Sequence, residues 1–228
     1  MGLFGNGGSN SNVGYNCGEI NALRGVINDT AKKSAEDVVW LLNQQIITPM
    51  SSIWYAPEAV EFFNKFATRV KESGEKITEA FDNFRQSVEN AGKSWADSTQ
   101  GEAPSLPPID NVELSLDVSE IKDKNEKGDV VIDEDRANNI VGGLAEVEEM
   151  IENALKKSAE TLDAETAFIG HDQSSSLEEC FAKVSEEIRK IFNFLTTGDD
   201  SLQSQITKTV QKYAEKSEEI KGTFASSK

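Results

Sequence analysis

Few residues in this chain combine the types and spacing that chemistry requires. The segment from Asp123 to Glu134 follows much of the EF-hand calcium-loop pattern, with Asp123, Asn125, Gly128, Val130 and Glu134 at positions 1, 3, 6, 8 and 12. Asp129 is a further acidic candidate. Position 5, however, places the cation Lys127 where an oxygen ligand belongs, and the flank upstream alternates like a strand instead of a helix. A Lys-Gly turn in a β-hairpin accounts for the same residues, so no metal is expected. His171 is the single histidine and stands beside Asp172 in a polar loop, which fits a surface residue. Glu146, Glu148, Glu149 and Glu152 occupy the side of a helix away from its apolar seam, which fits a solvated face and not a pair of catalytic acids. Cys17 and Cys180 have no metal-ligand spacing and leave the redox compartment open. The chain has no Gly-rich phosphate loop, Gly-x-Ser-x-Gly or Cys-His arrangement. These residues predict a protein that works without catalysis or cofactor.

Composition narrows the partners. Of 228 residues, 40 are acidic and 23 basic, giving a net charge of −17. That balance disfavours binding to nucleic acid through phosphate neutralisation, and docking on anionic lipid. The longest aliphatic or aromatic run is Val38 to Leu42, so no membrane span is expected. The first ten residues lack a basic region and an apolar stretch, so no ordinary signal peptide is expected. Gly2 invites myristoylation, but Asn6 stands where that motif needs Ser or Thr; a flexible Gly/Asn tail over 1–17 is the better reading.

The elements that follow are mainly helical. Ile20, Leu23, Ile27, Ala31, Ala35, Val38, Leu42 and Ile46 recur in steps of three and four, as on one face of a helix, until Pro49, Ser51 and Ser52 interrupt. Pro57, followed by Glu58 and Glu61, announces a second helix with a seam of Phe63, Phe66, Val70, Ile77, Phe81, Phe84, Val88, Ala91 and Trp95, skipping at Ser73 and Gly74. Two long helices joined by a short connection form an antiparallel hairpin over 18–100. Pro104, Pro107 and Pro108 open a linker over 101–134. In it Val112, Leu114, Leu116 and Val118 alternate with polar residues, and Val130 to Ile132 form a second β-prone run, predicting a short β-hairpin insertion. A second helical hairpin follows over 135–222, before a tail at 223–228. One helix carries Ile140, Leu144, Val147, Ile151, Leu155 and Leu162, and another carries Leu177, Phe181, Val184, Ile188, Ile191 and Leu195. Leu202, Ile206, Val210, Tyr213 and Ile220 continue that stripe beyond Gly198, which is either a kink or a break. The expected architecture is two helical hairpins of four-helix-bundle type.

The halves look like copies. Lys32-Lys33-Ser34-Ala35-Glu36 returns as Lys156-Lys157-Ser158-Ala159-Glu160, an offset of 124 residues. At that offset Leu23, Ile27, Ala31 and Val38 fall on Val147, Ile151, Leu155 and Leu162. An offset of 114 places Phe63, Val70, Ile77, Phe81 and Val88 on Leu177, Val184, Ile191, Leu195 and Leu202. Between the helices of the first hairpin stands Trp54-Tyr55-Ala56, and at the offset of 114 stands Phe168-Ile169-Gly170.

A Trp at a helical bend, followed by an apolar-seamed helix, resembles the WXG100 (ESAT-6-like) superfamily over 18–97, and more faintly over 135–222. One copy keeps the Trp of Trp-x-Gly and the other keeps the Gly. The resemblance implies a hairpin that pairs into a four-helix bundle, and export without a signal peptide through a type VII secretion system. It also implies a C-terminal Tyr-x-x-x-Asp/Glu export signal, but Tyr213 is followed at the fourth position by Ser217, with Glu218 one further on. Two functions are therefore expected to compete. One is a secreted interaction or self-assembly protein; the other is a structural component of a phage virion or phage-tail-like particle. Either would work through protein partners or as a homo-oligomer, and would lie in the cytoplasm before export or packaging.

Overall fold

The computed structural model describes residues 14–159, 162, 168–169 and 174–226, and the chain is mainly helical. Strand β1 (Gly14–Tyr15) leads into α1 (Cys17–Leu42). The helix starts where Asn16 accepts the Glu19 amide at 3.2 Å, satisfying one of the donors that a first turn leaves unpaired. The predicted stripe is its buried face. The chain does not break before Pro49: five π-helical residues, Asn43–Ile47, carry it into α2 (Thr48–Ser51). Pro49 follows the π-turn, in which the Thr48 amide reaches back five residues to the Asn43 carbonyl.

After β2 (Trp54–Tyr55), α3 runs from Pro57 to Thr99, 43 residues and about 65 Å at the usual rise. It ends at Gln100, a non-glycine residue in the left-handed region (φ 54°). Strand β3 (Val131–Ile132) precedes α4 (Glu134–Gly142), capped by Asp133, which accepts the Arg136 amide at 3.1 Å. Then come α5 (Leu144–Ala159), β4 (Phe168–Ile169), α6 (Ser174–Thr196) and α7 (Leu202–Ser226). The single helix expected over Ile140 to Leu162 is thus two, divided at Gly142-Gly143, where the absence of a side chain weakens the helix. Gly198, at φ 89°, is a break between α6 and α7 and not a kink.

The helix α1 packs on α3 and α5, and α6 packs on α3 and α5, so these four touch around a closed circuit. Helix α7 lies against α4, α6 and α3. The predicted seam of Phe63, Phe66, Val70, Ile77, Phe81, Phe84 and Val88 is buried at the centre of this core. Phe62 and Phe66 stack on Phe194 at 5.4 and 6.2 Å, and Phe81 meets Phe181 edge-on at 5.8 Å, tying α3 to α6 through aromatic pairs.

The β-hairpin insertion does not form. Residues 101–118 form an extended strap that continues through turns at 119–120 and 125–128, and β3 pairs antiparallel with β2 across the fold, Trp54 opposite Ile132 and Tyr55 opposite Val131. Alternation reports a buried face, not a strand partner. Here Val112, Leu114 and Leu116 point inward as predicted, but the face they meet is a groove between α1 and α3. The skip at Ser73 and Gly74 now has a reason. A Cβ on Gly74 would lie 3.0 Å from both Cγ and N of Leu114, and one on Gly92 would lie 2.5 Å from Cγ of Pro104. In the second half Ile188 stands where Gly74 does at the offset of 114 and is fully buried.

Side chains take the place of a ladder in holding the strap. The amides of Ser105, Ile109, Asp110 and Val112 donate to Asn21, Asp82, Asn28 and Thr78, at 2.8 to 3.2 Å. Asp110 accepts from Lys32 at 2.8 Å and from Asn28 and Arg24 at 3.1 Å. Hydrogen bonds from Lys32, Asn28 and Arg24 hold its carboxyl down to about 2, against 3.8 ordinarily. A carboxyl lowered on folding contributes stability that is full above its unfolded value and lost as pH falls through the folded one. The clamp is therefore expected to open as pH drops from about 4 to about 2. Asp110→Asn should flatten the loss of stability over that window, measured by chemical denaturation at each pH; an unchanged slope would remove Asp110 from the acid response.

Candidate interaction site

The bend is built from the backbone outward. Ile53 accepts the Asp133 amide at 2.9 Å, and the Ala56 amide donates to Lys122 O at 3.2 Å, so the bend is gripped by the end of the strap and the start of α4. Trp54 is fully buried and meets Phe63 edge-on at 6.3 Å. Its indole N–H has no hydrogen-bond partner. Tyr55 is half-buried. Ala56 has φ −161°, extended backbone that any residue adopts, so this bend does not need the Gly of Trp-x-Gly.

The second bend segment forms β4, in which Phe168 pairs with Tyr15 and Ile169 with Gly14. Each bend strand thus pairs with the residues that lead into the first helix of the other half. Gly170 lies outside the described residues, as do His171 and Asp172.

No family model, curated protein or solved structure matches the chain.

The calcium-loop candidates do not converge. Asn125 spends its side-chain oxygen on the amides of Lys127 and Asp129, both at 2.9 Å, while its NH2 donates to Asp129 at 3.1 Å. Gly128, at φ 84°, closes this turn. Asp133 and Glu134 belong to the cap and first turn of α4, leaving the Asp123 end. Among the described residues no group of three or more His, Cys, Asp or Glu is placed to hold a metal ion. No helix among them is long and apolar enough to cross a membrane. Cys180 is buried and burial pushes its thiol up to about 12, so it is a poor nucleophile. Burial and then the charge of Glu152 raise the Glu148 carboxyl, while Glu152 itself faces Arg189 at 3.6 Å.

Among the described residues a few large apolar side chains stand on the surface outside the seams. Val26, Trp40 and Met150 are exposed, Trp40 by 61%. Val26 and Trp40 line a groove of about 640 Å³ between α1 and α5, with Leu41, Lys33 and Lys157. At the offset of 124, Thr30 corresponds to Ala154 and Lys33 to Lys157, so part of the groove is lined by matching positions of both halves. The signal was present in the run Val38 to Leu42: Val38 and Leu42 keep the helical step, and Trp40 falls on the opposite side.

A second exposed feature is the end of α7. Tyr213 is its last partly buried residue among those described; the Tyr213 hydroxyl donates to Glu58 at 3.2 Å while Lys212 binds the other carboxylate oxygen. Burial, then the Glu58 charge, pushes the Tyr213 hydroxyl up to about 12. Beyond it every residue from Ala214 to Thr223 is exposed.

Proposed function

We propose that the chain is a non-catalytic helical assembly protein, two imperfect tandem WXG100-like hairpins paired within one chain as a four-helix bundle. Matching burial supports the duplication: Leu23 and Val147, Ile27 and Ile151, Ala31 and Leu155, Ser34 and Ser158, and Val38 and Leu162 are all buried. Both serines donate back to the carbonyl four residues earlier, at 2.8 and 3.2 Å. The observation that carries an assembly role is Trp40, a large aromatic held outward on a helix beside an apolar groove. Trp is among the residues most enriched where proteins grip one another. Partners are proteins; a chain of net charge −17 repels nucleic acid.

The WXG100-like bend favours export without a signal peptide through a type VII secretion system. A structural place in a phage virion or phage-tail-like particle is the second reading. It is favoured by Tyr213, which lacks an acidic residue at the fourth following position and is tied to Glu58 instead of standing free. A photo-crosslinking amino acid at position 40 in the producing cell tests the assembly reading. A covalent protein adduct is the expected result, and its absence would refute the use of this face.

A further inference from the structure

We propose that the exposed end of α7 docks in the α1/α5 groove of a second copy of this chain. The proposal deepens the assembly reading and rests on it.

The first half of α7 is anchored: Leu202, Ile206 and Thr209 are buried, and Val210 and Tyr213 are partly so. The spacing then continues through Ser217, Ile220 and Phe224 in steps of four, three and four, the a/d pattern of a helix that packs along another. Along that continuation the residues from Ala214 to Thr223 are exposed, Ile220 by 48%.

The groove matches it in length and charge. From Val26 to Leu41 it runs about 22 Å along α1, and Ala214 to Ser226 measures about 20 Å. Lys216 and Lys221 flank the α7 stripe, next to Ser217 and Ile220. Two such stripes face to face would set lysine against lysine, which disfavours pairing α7 with itself. Asp29 and Asp37 line the groove and offer the opposite sign to Lys216 and Lys221. The pairs these groups now make, Lys216 with Glu219, Lys221 with Glu218 and Lys33 with Asp37, are exposed and cheap to exchange. Both complementary surfaces are thus on one chain, and α7 packs on α4, α6 and α3, not in the α1/α5 groove. The contact joins unlike surfaces, so reciprocal exchange closes a dimer and one-way docking builds a longer chain.

Sedimentation of the full-length chain from low micromolar to several hundred micromolar tests the proposal. Self-association is expected, weakened about tenfold or more by Trp40→Asp and by Ile220→Asp, with far-ultraviolet dichroism and melting unchanged. Lys216→Glu with Lys221→Glu should weaken it too, and Asp29→Lys with Asp37→Lys should restore it. A wild-type chain that stays monomeric, or an association indifferent to these variants, would overturn the proposal. The crosslink at position 40 separates the two readings. An adduct to a second copy supports the docking. An adduct to a different protein overturns the second copy as occupant and leaves the assembly role standing. A monomeric chain with no adduct defeats both.

Discussion

Trp54→Ala is expected to remove about 3–5 kcal/mol of stability, the range for emptying a large buried aromatic site. Trp54 is fully buried, packs edge-on against Phe63 and sits in the strand that pairs with Ile132. Its surroundings come from the bend, α3 and the segment entering α4, three parts of the chain that cannot collapse together without breaking the pairing. Trp54→Phe separates volume from polarity. The indole N–H has no acceptor, so phenylalanine discards a buried donor that contributes nothing, and the loss should stay below about 1.5 kcal/mol. Urea denaturation of the three proteins measures both. A loss below about 0.5 kcal/mol for the alanine variant would mean the cavity closes freely, and the bend would no longer be the pin between the halves.

Much of this fold was legible in the spacing of apolar residues, because a helix that buries one face must repeat every three to four positions. The seam from Phe63 to Val88 and the stripe from Ile20 to Ile46 are buried where that repeat puts them. What periodicity does not carry is the identity of the partner. Leu114 and Leu116 alternate as in a sheet, yet they meet helices, since an extended chain can lodge in a groove as well as in a ladder. The pairing of β2 with β3 and of β1 with β4 joins residues far apart in sequence through two-residue strands. Such strands are too short to leave a pattern. The α1/α5 face was legible only as an exception: Trp40 is the wrong kind of residue for the outward side of its helix.

Arg85 was hidden for a related reason, and it yields the second large effect. Positions 81, 84 and 88 read as seam, so a charge at 85 looks like the solvated shoulder of the helix. It is instead buried, 4% exposed, under the strap. Its Nε donates to Asp82 at 2.6 Å and its Nη2 to the other Asp82 oxygen at 3.3 Å. Its Nη1 donates to Glu89 at 2.8 Å and also to the carbonyl of Leu106. The surroundings are consistent with that fork. Burial pushes the Asp82 carboxyl up, but hydrogen bonds from Arg85, Gln86 and the Ile109 amide outweigh it and leave it below the usual range. Asp82 also accepts the Ile109 amide at 3.2 Å, so one ion pair fixes two points of the strap. Arg85→Met keeps the stem's volume and removes the fork, leaving the Leu106 carbonyl without this donor, Asp82 with only Gln86 and the Ile109 amide, and Glu89 with Lys93. The expected loss is about 2–3 kcal/mol, below that of a fully buried pair because Asp82 and Glu89 reach water. Arg85→Lys should recover little, since a lysine cannot present a planar fork to both carboxylates and a carbonyl at once. The loss should appear first in the strap. Limited proteolysis is expected to cut between residues 101 and 122 sooner than in the wild type, while α3 keeps its helicity. A variant as stable and as resistant as the wild type would show that apolar burial of Leu106, Val112 and Leu114 holds the strap by itself.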